Sequence, residues 1–256
     1  MTTATVPSAD IRLVNFRYVG SEIGRVWRNA RFIMFSVTLP VLLFAAFSAG
    51  DQDERLGGLT VAPYIMISMA TFGAMNGVFS IGGRIGMERA TGWNRQLRLT
   101  ALTGRQYLAG KVLTGFTVAL PGMIVVFLFG HFARDVDLPA GRWALAGISI
   151  LFALLPIAAL GCWIGYLVRP ENLQAVAGGL YSLLALAGGL WVPADTFPSW
   201  LEAIVRMLPM YWAAFAGRAV ISGDWLGWRG VATVVVWTAV LGACAVRAYR
   251  ADQLRT

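Results

Sequence analysis

The sequence predicts an all-α membrane protein with six transmembrane helices and both termini on the cytoplasmic side. Three observations carry that prediction. The chain is 57% hydrophobic and only 13% charged, against roughly 25% charged residues in soluble domains, and its mean hydropathy is +0.65. Its apolar residues gather into long charge-free segments instead of scattering. Its basic residues crowd alternate connections between those segments.

Taken in order, residues 1–10 read as a solvated tail. Pro7, Asp10 and several arginines precede the first apolar run, which argues against a cleavable signal peptide. Residues 11–31 follow a helical period. Val19, Ile23, Val26, Trp27 and Ala30 share one face, while Arg25, Arg28 and Arg31 take another. A basic face opposite an apolar one suits a helix lying in the membrane interface.

The charge-free segments are 32–50, 56–83, 112–133, 143–168, 172–194 and 230–246. Each approaches the roughly 20 residues that a crossing helix requires. The second span is expected from about residue 60, and the last extends to 228–248 once its flanking arginines snorkel. Pro40, Pro121 and Pro156 fall inside spans, where neighbouring helices can satisfy the freed carbonyls. The apolar run 207–217 is too short to cross, so 195–217 reads as a re-entrant segment between the fifth and sixth spans.

Orientation follows from the 21 lysines and arginines. With the N-terminus inside, fifteen of them are cytoplasmic, and Asp51, Asp53, Glu54, Asp135, Asp137, Asp195, Glu202 and Asp224 all lie outside. That asymmetry obeys the positive-inside rule. The net charge of +8 is then explained by topology and anionic lipid, and nucleic acid is not an expected partner.

No Asp, Glu, Lys or Arg falls within the six segments. Carriers driven by a coupling ion, and intramembrane hydrolases, need such groups at membrane depth. The single histidine, His131, lies at the outer end of the third segment and reads as an interfacial residue. Cys162 and Cys244 sit in apolar runs as small hydrophobes. "GRQYLAGK", 104–111, has the wrong glycine spacing for a phosphate loop and is followed by Val112. Energy for active transport must therefore come from another subunit, and no metal or cofactor is expected in this chain.

Two stretches exceed what topology needs. The cytoplasmic connection "RIGMERATGWNRQLRLTALTGRQYLAGK" (84–111) holds Glu88, a breaker at Gly92, Trp93-Asn94 and several leucines. An aromatic, an acid and apolar residues on a short helix suit insertion into a groove on a partner. Between the fifth and sixth spans, "GGLWVPADTFPSWLEAIVRMLPMYW" (188–212) combines a glycine pair, three prolines and interfacial aromatics.

The order Glu88, Arg89, Gly92, then Leu97 or Leu99, Thr100, Leu102, Thr103, Tyr107, Gly110 and Lys111 resembles the permease subunits of ABC-2-type exporters. Ala101 stands where that family usually has proline. The 188–212 stretch resembles the family's signature ahead of its last span. Together the two motifs, the spans and the interfacial helix cover nearly all of 1–256, a single transmembrane domain.

The resemblance implies a half-transporter in the bacterial cytoplasmic membrane. Its partners would be an ATP-hydrolysing subunit carrying ATP and Mg, and a second copy or a paralogue of the permease. Residues 11–31 become the connecting helix and 84–106 the coupling region, with Glu88, Arg89, Gly92, Trp93, Asn94 and Leu97 reading the ATPase. Arg169 and Glu171 in "RPEN" form a second, smaller coupling site. The substrate path would run along Met66, Met69, Phe72, Met75, Asn76 and Phe79 of the second span and Tyr181 of the fifth, whose glycines at 178, 179, 188 and 189 would permit close helix approach. Pro193, Phe197, Pro198, Trp200, Leu201, Pro209 and Tyr211 would build the extracellular gate. The expected cargo is a hydrophobic or amphiphilic drug or antibiotic. Export of a lipid or lipid-linked glycan, and a non-transporting scaffold or sensor, remain alternatives.

Overall fold

The computed structural model describes residues 16–50, 55–93, 96 and 102–254. Asn94 and Leu97, like Leu99 and Thr100, lie outside the described residues. The described chain is α-helical apart from one small hairpin. Helix α1 covers Phe16–Trp27 and α2 covers Ala30–Phe47; strands β1 (Arg55–Leu56) and β2 (Leu59–Thr60) form the hairpin. Helices α3 (Val61–Phe79) and α4 (Ile81–Ala90) run on from it, followed by α5 (Gly104–Arg134), α6 (Ala140–Ala153) and α7 (Leu155–Leu167). Then come α8 (Pro170–Ala187), α9 (Ser199–Val205), α10 (Pro209–Ser222) and α11 (Gly227–Leu254).

Four of these runs are long and apolar enough to cross a membrane: Val61–Ala90, Gly104–Arg134, Ala140–Leu167 and Gly227–Asp252. The number rises to six if two bent pairs, α1 with α2 and α9 with α10, each count as one span. Helix α8, expected as the fifth crossing, is not among them. Its first turn carries Glu171, Asn172 and Gln174, which lower its hydropathy.

Long helices begin and end where their sequences dictate. The second span does not stop at Arg84 but continues, past a turn at Ser80, through α4 to Ala90, and Gly92 follows with a φ of +71°. Helix α5 starts eight residues earlier than its charge-free segment. Thr103 accepts from the Gln106 amide and Gln106 reaches back to the Thr103 amide, a capping box that opens the helix at Gly104. The fourth span breaks at Leu154, two residues before Pro156, which has no amide to donate.

Helix α3 is the central pillar, buried along nearly its whole length and packed by α2, α5, α7 and α10. Close approach there depends on glycine. A Cβ on Gly77 would stand 2.6 Å from the Ala119 amide nitrogen of α5. On α4 and α7, Gly82, Gly161 and Gly165 meet in the same way, a Cβ on Gly82 standing 2.6 Å from the Gly161 carbonyl oxygen. Pro40 leaves the Ser36 carbonyl without its helical donor, and that oxygen lies against Gly122, 3.1 Å from where its Cβ would be. Gly178 and Gly179 of α8, expected to make close helix contacts, face open space within the chain. Gly188, at the end of α8, does pack closely, a Cβ there standing 2.6 Å from the Met210 side chain.

Contacts sort into two ends. Residues 84–93, 102–111, 165–170 and 249–252 gather at one, the charged end, while 45, 134–142, 189 and 218–224 gather at the other. Replacing Gly77 with leucine forces α3 from α5 and should cost about 1–3 kcal/mol. Gly178→Ala, in open space, should be neutral or slightly stabilising. Thermal unfolding of both variants in detergent micelles checks the contrast.

Candidate functional site

The charged end is built around Lys111. Starting α5 at Gly104 carries this lysine inside the helix, where its side chain is only 1% exposed. An ammonium withdrawn from water needs anions. One comes from α1, as Lys111 Nζ donates to Glu22 Oε2 at 2.6 Å. The second comes from α4, where Nζ also donates to Glu88 Oε1. Tyr107 Oη donates to the other Glu88 oxygen at 2.6 Å. Arg25 of α1 adds an ion pair to Glu22 at 3.2 Å and lies over the Trp93 ring at 5.3 Å. Three helices are thus joined by one buried cluster.

This placement revises the expected role of Glu88. Its carboxylate is buried and satisfied by Lys111 and Tyr107 of its own chain, not presented outward. Arg89 is likewise committed within the chain. Its Nη1 donates to the Gly165 and Val168 carbonyls at the end of α7, at 2.9 and 3.3 Å, and its Nε to Asp252 of α11 at 3.0 Å. A guanidinium at a helix C-terminus satisfies orphan carbonyls and favours the dipole. Glu88 and Arg89 form the last turn of α4, which continues the second span. By contrast Arg169 and Glu171 are exposed, at the N-terminus of α8.

The interfacial face of α1 is also rotated from expectation. Val19, Glu22 and Val26 are the buried set, while Phe16 and Trp27 stay exposed. The partner awaiting Glu22 on α5 decides the rotation.

Beside the cluster opens a cavity of about 680 Å³. Phe72, Asn76 and Phe79 of α3 and Tyr181 of α8 line it, and its charged end reaches Glu22, Arg25, Arg84 and Glu88. Tyr181 Oη donates to the Phe72 carbonyl at 2.9 Å, and the two rings sit 5.0 Å apart. Asn76 Nδ2 donates to Ser36 Oγ of α2 at 3.3 Å. Phe35 and Leu39 of α2 complete the wall. Met66, Met69 and Met75 do not line this cavity: all three are fully buried, and Met66 packs against Gly130 of α5. The Met/Phe stripe divides because α3 is covered on every side, so only one edge of it meets the cavity.

At the opposite end, the expected gate residues mark the turns of a bent segment. Pro193 precedes a 3-10 turn at Ala194–Thr196, Phe197 ends that turn, and Pro198 caps α9, which carries Trp200 and Leu201. Pro209 opens α10, which carries Tyr211 stacked on Phe215 and meets α9 at 88°. The tether of this segment is Arg218. It donates to Ser68 Oγ of α3 and to the Gly189 carbonyl, each at 2.7 Å, and lies 3.8 Å from the Tyr64 ring. Gly189 has a φ of +66°, which turns its carbonyl toward the arginine. His131 sits at this end too, its Nδ1 3.2 Å from the Val136 carbonyl.

The sequence profile of a family described as "ABC-2 family transporter protein" matches residues 43–247. YvfS of Bacillus subtilis (strain 168), provisionally named a transport permease, is 30% identical over 222 residues, covering 85% of this chain and 89% of the relative. LnrN of the same organism, named a linearmycin resistance permease protein, is 26% identical over 211 residues. That alignment covers 79% of this chain and 51% of LnrN.

Lys111→Met removes one cation and leaves two buried carboxylates facing each other. It should lower unfolding free energy by about 3–5 kcal/mol. Arg206→Met breaks the exposed pair with Glu202 and a contact over the Tyr211 ring, and should cost less than about 1 kcal/mol. Chemical denaturation of the two variants in the same micelle compares them directly.

Proposed function

The chain belongs to the ABC-2 family of transporter proteins and is a multi-pass membrane permease; from that premise we propose that it works as the membrane half of an ATP-driven exporter. It moves a hydrophobic or amphiphilic substrate of the drug or antibiotic class out across the bacterial cytoplasmic membrane. ATP hydrolysis takes place on a separate subunit docked at the charged end, which is cytoplasmic, and a second permease completes the path. Six spans with both termini inside fit the fifteen-to-six asymmetry of basic residues.

The observation that carries this reading is the juxtaposition of cavity and charged cluster. A cavity of about 680 Å³, aromatic along one wall, shares Glu22 and Glu88 with the cluster that joins α1, α4 and α5. Helix α4 runs on from α3, so a push at the end of α4 is delivered along the pair to Phe79, Asn76 and Phe72. The drug class is supported by the name of LnrN, a linearmycin resistance permease protein. At the other end, the α9–α10 pair tethered through Arg218 is suited to act as the gate.

Docking is tested best away from the internal cluster. Arg169→Ala with Glu171→Ala should reduce recovery of the ATP-binding subunit about tenfold, with thermal stability unchanged because both side chains are exposed. Trp93→Ala should weaken substrate-stimulated ATPase activity more than it weakens assembly. If no ATP-binding protein co-purifies with the wild-type chain, the exporter reading fails.

A further inference from the structure

The charged end of the cavity is not electrically balanced. Glu22 and Glu88 face Lys111 and Arg25, and those four charges cancel. Arg84 is the surplus. It lines the cavity one helical turn from Glu88 and is only partly exposed. Its guanidinium lies 5.8 Å from the Phe32 ring. Among the described residues its side chain makes no ion pair and no hydrogen bond. Glu22 and Glu88 attract it without direct contact, and an anion placed against it would add charge-assisted hydrogen bonds.

The surroundings of Arg84 specify the rest of the ligand. Gly83 beside it is exposed, with nothing within 4 Å of where a Cβ would stand, which leaves room for a head group. Away from Arg84 the wall turns aromatic, through Phe79, Phe35 and Tyr181 to Phe72. At about 1.5 Å per helical residue, Arg84 and Phe72 are separated by about 18 Å. One surplus cation and a wall of aromatic rings, interrupted by Asn76 and Ser80, describe an amphiphile. A cationic head would be repelled by Arg84, while Glu22 and Glu88 already pair with Lys111 and Arg25.

We propose that this cavity binds a single-tailed amphiphile with one anionic head group, the head on Arg84 and the hydrocarbon tail along Phe35, Phe72, Phe79 and Tyr181. The proposal rests on the reading of this cavity as the substrate path, and it narrows the substrate class to acids.

Binding is measured on the purified chain in phosphatidylcholine nanodiscs, with empty nanodiscs as the blank. A fluorescent undecanoic acid is displaced by dodecanoate, dodecyl phosphate, dodecylamine or lysophosphatidylcholine. Both acids should displace it at least about tenfold better than the amine or the zwitterion. Arg84→Gln should abolish that preference, Arg84→Lys should keep most of it, and Gly83→Leu should weaken all heads alike by filling the space beside Arg84. A melting curve of Arg84→Gln without ligand separates lost binding from lost folding. Indifference of the wild type to head charge, or an unchanged preference in a folded Arg84→Gln, overturns the proposal. Acid-selective binding by a chain that recruits no ATPase would sink the exporter reading and leave this one standing. Assembly with an active ATPase but no head-group preference would do the reverse.

Discussion

A lysine ammonium held away from water at the start of a membrane helix fixes much of this molecule. Lys111 needs anions and takes them from two other helices, so α1 and α4 must lie against α5 wherever α5 goes. Removing any one member of the cluster is disruptive, because the expense lies in the charge left over. The rotation of α1, with Glu22 inward and Trp27 outward, follows directly. So does the position of Trp93, held under Arg25 just beyond the end of α4.

From that cluster, the two ends of the protein are linked by rods and tethers. Arg89 ties the end of α4 to α7 and α11, which pack on each other along their lengths. Glycine contacts at Gly77, Gly82 and Gly161 let α3, α4, α5 and α7 approach backbone to backbone, leaving little compliance between them. At the far end Arg218 holds α10 to α3 and to the turn at Gly189. On the proposed reading, force entering at the charged end therefore reaches the cavity through packed helices and the far segment through α3.

How much of this is legible in the sequence depends on the kind of signal. Apolar run length locates most of the long helices, and the prolines at 193, 198 and 209 mark the turns around α9 and α10. Charge-free segmentation misplaces Lys111, because a rule that stops at the first charge must put a buried lysine outside the span. The readable counter-signal is Thr103-x-x-Gln106, a capping box that starts the helix seven residues before Lys111. Glu22 is hidden in the same way: an amphipathic pattern assigns acids to the wet face, and nothing local reveals a partner 89 residues away. The stripe of Met66, Met69 and Met75 has helical spacing but no local mark distinguishing core from cavity, and α3 buries all three. Arg84 and Arg218 read as topology charges, since their environments are assembled from distant helices.

The central claim is that Glu88 and Lys111 act as one electrostatic unit within the chain. A double-mutant cycle with Glu88→Gln and Lys111→Met, followed by chemical denaturation, tests it most directly. In the wild-type background Glu88→Gln should destabilise, because Lys111 loses an anion. In the Lys111→Met background the same substitution should stabilise, because it removes an uncompensated buried carboxylate. Two losses that simply add would contradict the account.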